Sequence, residues 1–195
     1  MKKNIYDKYL FKTFEEHSRV LNKSQIVLKK GIKLSSEIIF KSLKKGGTIF
    51  WCGNGGSAAD SQHIAAEFVG RFKKNRKPLR SIALTTDTSI LTCVSNDYSF
   101  EEVFSRQIDA LGRKGDVLVA ISTSGNSRNV KRAIIQAQKM GLKTIGLLGK
   151  SGGTCKNYVD VPLIIPSNNT ARIQEIHILI EHLLCEIMEH KLGLD

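Results

Sequence analysis

Residues 46–67 read GGTIFWCGNGGSAADSQHIAAE, and their order decides the fold. A short apolar run, Thr48 to Cys52, enters the turn Gly53-Asn54-Gly55-Gly56-Ser57, and a helical pattern begins directly after it. Strand, glycine turn and helix in that order leave unpaired backbone N–H groups and a positive dipole end where an anion can sit. The same helix carries His63 and Glu67 at i and i+4, on one face. A phosphate cradle and a proton-handling pair thus share one element.

Outward from this stretch, β-rich runs recur at Ser81–Leu84, Val117–Ser122, Thr144–Leu148 and Val161–Ile165. Helical patterns separate most of them, at Ala58–Val69, Glu101–Leu111 and Asn129–Met140, and a long last helix is expected from Thr170 to His190. Upstream, apolar residues from Phe11 to Leu43 recur at helical spacing without a proline, which predicts one or two N-terminal helices. Strand and helix in alternation predict an α/β protein, a parallel sheet covered on both faces. No linker or repeat divides the 195 residues, so one domain is expected, with residues 1–45 as a helical arm and 46–195 as the α/β core. The arm could pack on the sheet or on another subunit.

Composition narrows the function classes. No apolar run reaches the roughly 18 residues of a membrane span, and the basic N-terminus meets Asp7, Glu15 and Glu16 with no apolar signal region behind it. Cys52, Cys93, Cys155 and Cys185 are scattered without a CxxC pair, as expected of reduced thiols in a cytoplasmic protein. The net charge of +12 is concentrated in two places. Residues 1–45 hold twelve Lys/Arg against four Asp/Glu, and RFKKNRKPLR (Arg71 to Arg80) holds six basic residues and no acid. Neither run has the interleaved aromatics of a single-strand binder or a helix-turn-helix or zinc-finger spacing, so no nucleic-acid partner is expected. Steering of an anionic substrate is the functional use of such charge.

A second turn rich in phosphate-type donors, Ser122-Thr123-Ser124-Gly125-Asn126-Ser127, follows the run DVLVAIS and precedes NVKRAIIQAQ. Four hydroxyls and a glycine at a helix start can donate several bonds to one tetrahedral anion. This second turn is neither a Walker A loop nor a G-x-G-x-x-G fingerprint, which points to a small phosphorylated metabolite rather than a nucleotide. In the last helix Gln174, Ile178 and His182 lie one above another. If that helix faces the first, His63, Glu67, Gln174 and His182 converge, within a subunit or across an interface. The set suits a borderline divalent ion such as zinc, or a metal-free general base and acid. Spacing alone does not exclude His177, three residues from Gln174, as a rival to His182.

Three blocks, CGNGGSAADSQHIAAEFVGRF, LTTDTSILTCVSNDYSFEEVFSRQIDALGRKGDVLVAISTSGNSRNV and ARIQEIHILIEHLLCEI, together resemble the sugar isomerase (SIS) family and, within it, the phosphoheptose isomerases. The resemblance implies a three-layer αβα sandwich, a homotetramer and active sites built from more than one subunit. It implies Glu67 and His182 as the catalytic acid/base pair, and His63, Glu67, Gln174 and His182 as the positions of one zinc ion per subunit. Ser57, Ser122, Thr123, Ser124 and Ser127 match phosphate and substrate contacts. Asn54, with Gly55 and Gly56 beside it, Asp97 and Gln174 are further substrate positions, Asn54 and Asp97 at the sugar hydroxyls.

The implied reaction converts D-sedoheptulose 7-phosphate to D-glycero-D-manno-heptose 7-phosphate. That product feeds nucleotide-activated heptose for lipopolysaccharide core, capsule or surface glycans. Non-catalytic SIS relatives that bind a sugar phosphate or the replication initiator are the alternative. In the initiator-binding relatives the Glu and second His positions are replaced; here both are present.

Overall fold

Val117–Ser122 is apolar at every position but the last, a pattern suited to a strand buried on both faces. In the computed structural model, which describes residues 4–193, this strand (β3) is the centre of a five-stranded sheet. The others are β1 (Ile49–Cys52), β2 (Ser81–Ala83), β4 (Lys143–Leu148) and β5 (Val161–Ile164). All neighbours pair in parallel, in the order β2-β1-β3-β4-β5. The chain leaves β1 toward β2 and returns on the other side of β1 as β3. The strand order therefore reverses between β1 and β3, where Ile49–Cys52 pair with Val117–Ala120. Ligands of parallel sheets gather at the carboxyl ends of the strands at such a point.

Six helices cover the sheet: α1 (Ile5–Lys44), α2 (Gly56–Val69), α3 (Thr88–Asp97), α4 (Ser105–Leu111), α5 (Arg128–Lys139) and α6 (Thr170–Lys191). The pleat sends alternate residues to opposite faces. Ile49, Trp51, Val117, Val119 and Ile121 pack with Ile39 of α1, Ile64 and Phe68 of α2, and Ile173 and Leu184 of α6. Phe50, Cys52, Leu118 and Ala120 pack on the other side with Val94 of α3, Ile108 of α4 and Val130 and Ile134 of α5. The result is the expected αβα sandwich, and it puts α2 and α6 on the same side of the sheet.

One local expectation narrows and two are revised. The N-terminal segment is a single helix of 40 residues, started by the Asn4 side chain accepting from the Tyr6 N–H. It packs on the sheet, one of the two placements left open above, and buries Val20, Leu28 and Ile39 in the core. The expected helix at Glu101–Leu111 is a 3₁₀ turn at Phe100–Glu102 followed by α4, because Val103 and Phe104 turn inward to full burial between them. Helix α3 was not anticipated. Its N-terminus is capped by Asp87, whose carboxylate accepts from the Ile90 N–H. Among the described residues no helix is long and apolar enough to cross a membrane.

Candidate active site

The two donor-rich turns leave the adjacent strands β1 and β3 at the same end of the sheet. Each opens a helix: Gly55 is the residue before α2 and Ser127 the residue before α5. Gly56 and Ser57 form the first turn of α2, with Ser57 buried. After β3 the hydroxyls converge. Ser122 Oγ lies 3.1 Å from Ser127 Oγ and 3.4 Å from Ser124 Oγ. The loop is held by its own backbone, with Gly125 N–H donating to Ser122 Oγ and Asn126 N–H to Ser124 Oγ, each at 3.1 Å. Gly125 has φ +67°, and a Cβ there would stand 2.2 Å from the Gly152 carbonyl oxygen, so only glycine lets this loop pack on the next one. Thr123 takes no part in the hydroxyl cluster. Three clustered hydroxyls at the start of a helix make a cradle for a tetrahedral anion.

Asn54 and Asn129 join the two turns. Asn54 Nδ2 donates to Asn129 Oδ1 at 2.9 Å, and Asn129 Nδ2 donates back to Asn54 Oδ1 at 2.8 Å. Asn54, expected at a sugar hydroxyl, therefore has half of its hydrogen-bonding capacity committed within the protein.

Helices α2 and α6 face each other and bring the titratable residues together. His63 Nε2 is 3.0 Å from His182 Nε2 and 3.5 Å from Glu67 Oε1, so His63 links the expected acid/base pair. The two imidazoles meet edge to face with centroids 5.1 Å apart. Gln174 sits further along α6 toward the glycine turn. Its amide donates to Asp60 at 3.2 and 3.4 Å and lies against Gly56, where a Cβ would meet Gln174 Nε2 at 2.3 Å. Gln174 is therefore beside the glycine turn and does not join the histidines.

The two histidines of α6 lie in different surroundings. His177 is fully buried, its Nε2–H donating to the Leu148 carbonyl oxygen at 3.2 Å, and burial pulls its pKa down to about 4. It is a neutral core residue on the sheet side of α6, whereas His182 stands at the Glu67 cluster.

Sequence reasoning missed three neighbours. Asp60 shares the face of α2 with His63 and Glu67, and burial pushes its carboxyl up despite the Gln174 hydrogen bond. The spacing i−3 from His63 was a legible signal for it. Phe72 stacks on His182, centroids 5.4 Å apart and planes 19° from parallel. The segment carrying Phe72 is pinned by Glu189, which accepts from the backbone N–H groups of Phe72, Lys73 and Lys74 and from Arg76 Nε at 2.8 Å. Arg76 in turn donates to the carbonyl oxygens of Glu67 and Phe68. Part of the basic run Arg71–Arg80 is thus a buried structural clasp, with Arg76 only 2% exposed in its side chain. A fourth ionisable group, Glu181, is fully buried with neither oxygen partnered, and burial and then the Asp60 charge push it up to about 8.

Asp97, like Thr123, is not gathered in. It ends α3, exposed, accepting from Asn96 Nδ2 at 2.8 Å and contacting Cys93 Sγ at 3.4 Å. Neither contact belongs to the serine cluster or to the α2–α6 residues.

Residues 13–149 match the family model described as the SIS domain. The chain is 49% identical to the phosphoheptose isomerase of Clostridium acetobutylicum over 190 residues, covering 97% of this chain and 96% of that one. It is 53% identical to the phosphoheptose isomerase of Campylobacter jejuni over 178 residues, covering 91% and 95%. The solved phosphoheptose isomerase GmhA from Neisseria gonorrhoeae superposes with a TM-score of 0.90 at 43% identity, covering 95% of this chain and 99% of that chain. With the hydroxyl cradle at the strand-order reversal and Glu67 and His182 brought together across α2 and α6, these likenesses show that the chain belongs to the phosphoheptose isomerases of the SIS-domain family.

Proposed function

We propose that this protein interconverts D-sedoheptulose 7-phosphate and D-glycero-D-manno-heptose 7-phosphate, the first step toward nucleotide-activated heptose. The observation that carries the reading is the convergence of Glu67 and His182 on His63, on elements that also deliver the phosphate cradle. A ketose becomes an aldose when a proton moves between C1 and C2 through an enediol. Glu67 takes the carbon-bound proton and returns it to the neighbouring carbon. His182 moves protons on the substrate oxygens, its plane set by Phe72 and its edge by His63. The Ser122, Ser124 and Ser127 hydroxyls hold the phosphate, so binding energy at the far end orients the reacting carbons. General acid–base transfer of this kind contributes about 10²–10⁴ in rate.

The same residues suit one zinc ion. Tetrahedral donors bound at about 2.0–2.1 Å lie roughly 3.3 Å from one another. The separations of His63 Nε2 from His182 Nε2 and from Glu67 Oε1, 3.0 and 3.5 Å, bracket that value. Among the described residues no three His, Cys, Asp or Glu side chains already enclose an ion position, and Gln174, bonded to Asp60, would have to turn from it to join the set. When bound, the ion would supply Lewis-acid polarisation of the carbonyl.

We further propose a homotetramer with shared sites. Tyr6, Tyr9, Phe11 and Phe14 on α1 are 62 to 77% exposed, aromatic surface that water does not favour. A groove of about 650 Å³ between α1 and α6, bordered by Leu21, Leu28, Leu179 and Leu183, also reaches His182. A neighbouring subunit seated there would border the site, and an exposed Asp97 would be free to serve a neighbour. The thiols Cys52, Cys93, Cys155 and Cys185 are free, which suits a reducing compartment, and we assign the enzyme to the cytoplasm. The product would supply lipopolysaccharide, capsule or surface-glycan synthesis.

The test is turnover of sedoheptulose 7-phosphate by the purified protein, with and without a chelator. Formation of the aldose supports the isomerase, and loss of rate on chelation that zinc restores supports the metal. A tetramer that binds the sugar phosphate without converting it would leave the regulatory alternative.

A further inference from the structure

The amide pair that joins the two phosphate turns lies outside the acid/base chemistry, and the Asn129 side chain hydrogen-bonds to Asn54 and to the Val130 N–H. Asn129 is 3% exposed, in the first turn of α5, with its Oδ1 accepting from its own helix at the Val130 N–H as well as from Asn54. Its Nδ2 donates to Asn54 Oδ1. The Val130 N–H identifies Asn129 Oδ1 as the acceptor, and the reciprocal bonds then orient Asn54, because flipping one amide alone would set two donors and two acceptors face to face. The pair spans the crevice between the ends of β1 and β3, where the glycine turn and the serine loop would hold opposite sides of one ligand.

We infer that Asn129 is a positioning residue that fixes the separation of the two turns, acting through Asn54. A phosphate-bearing ligand contacts donors from both turns only if they are held at the right spacing. The backbone between them follows two different strands and two different helices. Within each turn the hydrogen bonds are local, as between Ser122 and Gly125. The reciprocal amide bridge is a side-chain link between the two turns. It lets Asn54 present its remaining N–H and lone pair in one direction only, which selects the sugar orientation as well as the phosphate position. The inference rests on the reading of these turns as the sugar-phosphate site.

The experiment compares wild type, Asn129→Ser, Asn54→Ala and the double variant, reading kcat, KM and melting temperature, with calorimetric binding of sedoheptulose 7-phosphate. Serine keeps a small polar group at the helix start but is too short to reach Asn54, so the protein is expected to fold. Loss of two neutral hydrogen bonds predicts a KM raised about tenfold in Asn129→Ser with kcat changed less than about threefold. In the Asn54→Ala background the same change should then add less than about twofold, because its route is already gone. An unchanged KM with a lowered melting temperature would make Asn129 a structural residue only, and full multiplicative losses in the double variant would mean it acts without Asn54. Either result overturns the inference while the isomerase stands. A wild type that neither binds nor converts the sugar phosphate overturns the underlying reading and this inference together.

Discussion

Phe72 lies face to face on His182, centroids 5.4 Å apart, although the two residues are 110 positions apart in the chain. The ring covers one side of the imidazole while His63 meets its edge. An imidazole so bounded keeps one plane, which is what proton transfer to a substrate oxygen requires.

Replacing Phe72 with Leu should therefore lower kcat about ten- to a hundredfold while KM changes little, since misplacement of a reacting group costs rate. Phe72→Tyr keeps the stacked ring and should retain near wild-type kcat. Steady-state kinetics of the two variants check this. Equal kcat in Leu and Tyr variants would mean the ring does not orient His182.

The two histidines of α6 should separate cleanly. His182→Ala should reduce kcat by about 10²–10⁴ with little change in melting temperature, as expected for loss of an acid/base group. His177→Ala should leave the chemistry largely intact and lower stability, because it removes a fully buried ring and its bond to Leu148. Activity assays beside thermal melts decide the matter, and the reverse pattern would exchange their roles.

The clasp behind Phe72 should show in acid. Burial alone would raise the Glu189 carboxyl, but the N–H groups of Lys73 and Phe72 and the Arg76 guanidinium outweigh it and hold it below its ordinary value of 4.5. A depressed carboxylate stabilises the fold fully above that ordinary value and loses the contribution as the pH falls below it. Glu189→Gln should cost about 3–5 kcal/mol at neutral pH, because it leaves Arg76 buried without its partner. It should also flatten the fall in stability below 4.5. Denaturant titrations from neutral pH down through that region test both. A wild-type curve no steeper than that of the variant would remove Glu189 from the acid response.

Gly125 carries φ +67° against the Gly152 carbonyl, so Gly125→Ala meets both backbone strain and a close contact. Strain of this kind costs about 1–3 kcal/mol, and relieving it by moving the loop would disperse the serine hydroxyls. The variant should melt lower and show a raised KM for the sugar phosphate. Ser124→Ala, which removes one donor without strain, should raise KM alone. A normal KM in both would take the serine loop out of the phosphate site.

Much of the fold was legible because the strands are short apolar runs between turn residues. Val117–Ser122 and the glycine turn after Cys52 appear in the structure where the sequence puts them. Helix α3 was not, because Thr88–Asp97 is rich in threonine, serine and β-branched residues and buries only Val94, so no apolar stripe announces it. The split before α4 depends on Val103 and Phe104 turning inward, a tertiary effect that periodicity does not carry. At the site, the His63–Glu67 pair followed from helical spacing. The approach of His182, the stacking of Phe72 and the Asn54–Asn129 bridge arise from contacts between residues far apart in the chain, and no local pattern encodes them. His177 and His182 look alike in the sequence because which face of α6 meets the sheet is a packing outcome.

The most direct test of the whole account is turnover of sedoheptulose 7-phosphate by Glu67→Gln beside wild type, with binding of the sugar phosphate measured on both. Glutamine keeps the size of the side chain and removes the base. The account predicts a wild type that forms the heptose 7-phosphate and a variant that binds the substrate but does not convert it. Conversion by Glu67→Gln at a rate close to wild type would contradict the assignment of Glu67 and the mechanism built on it.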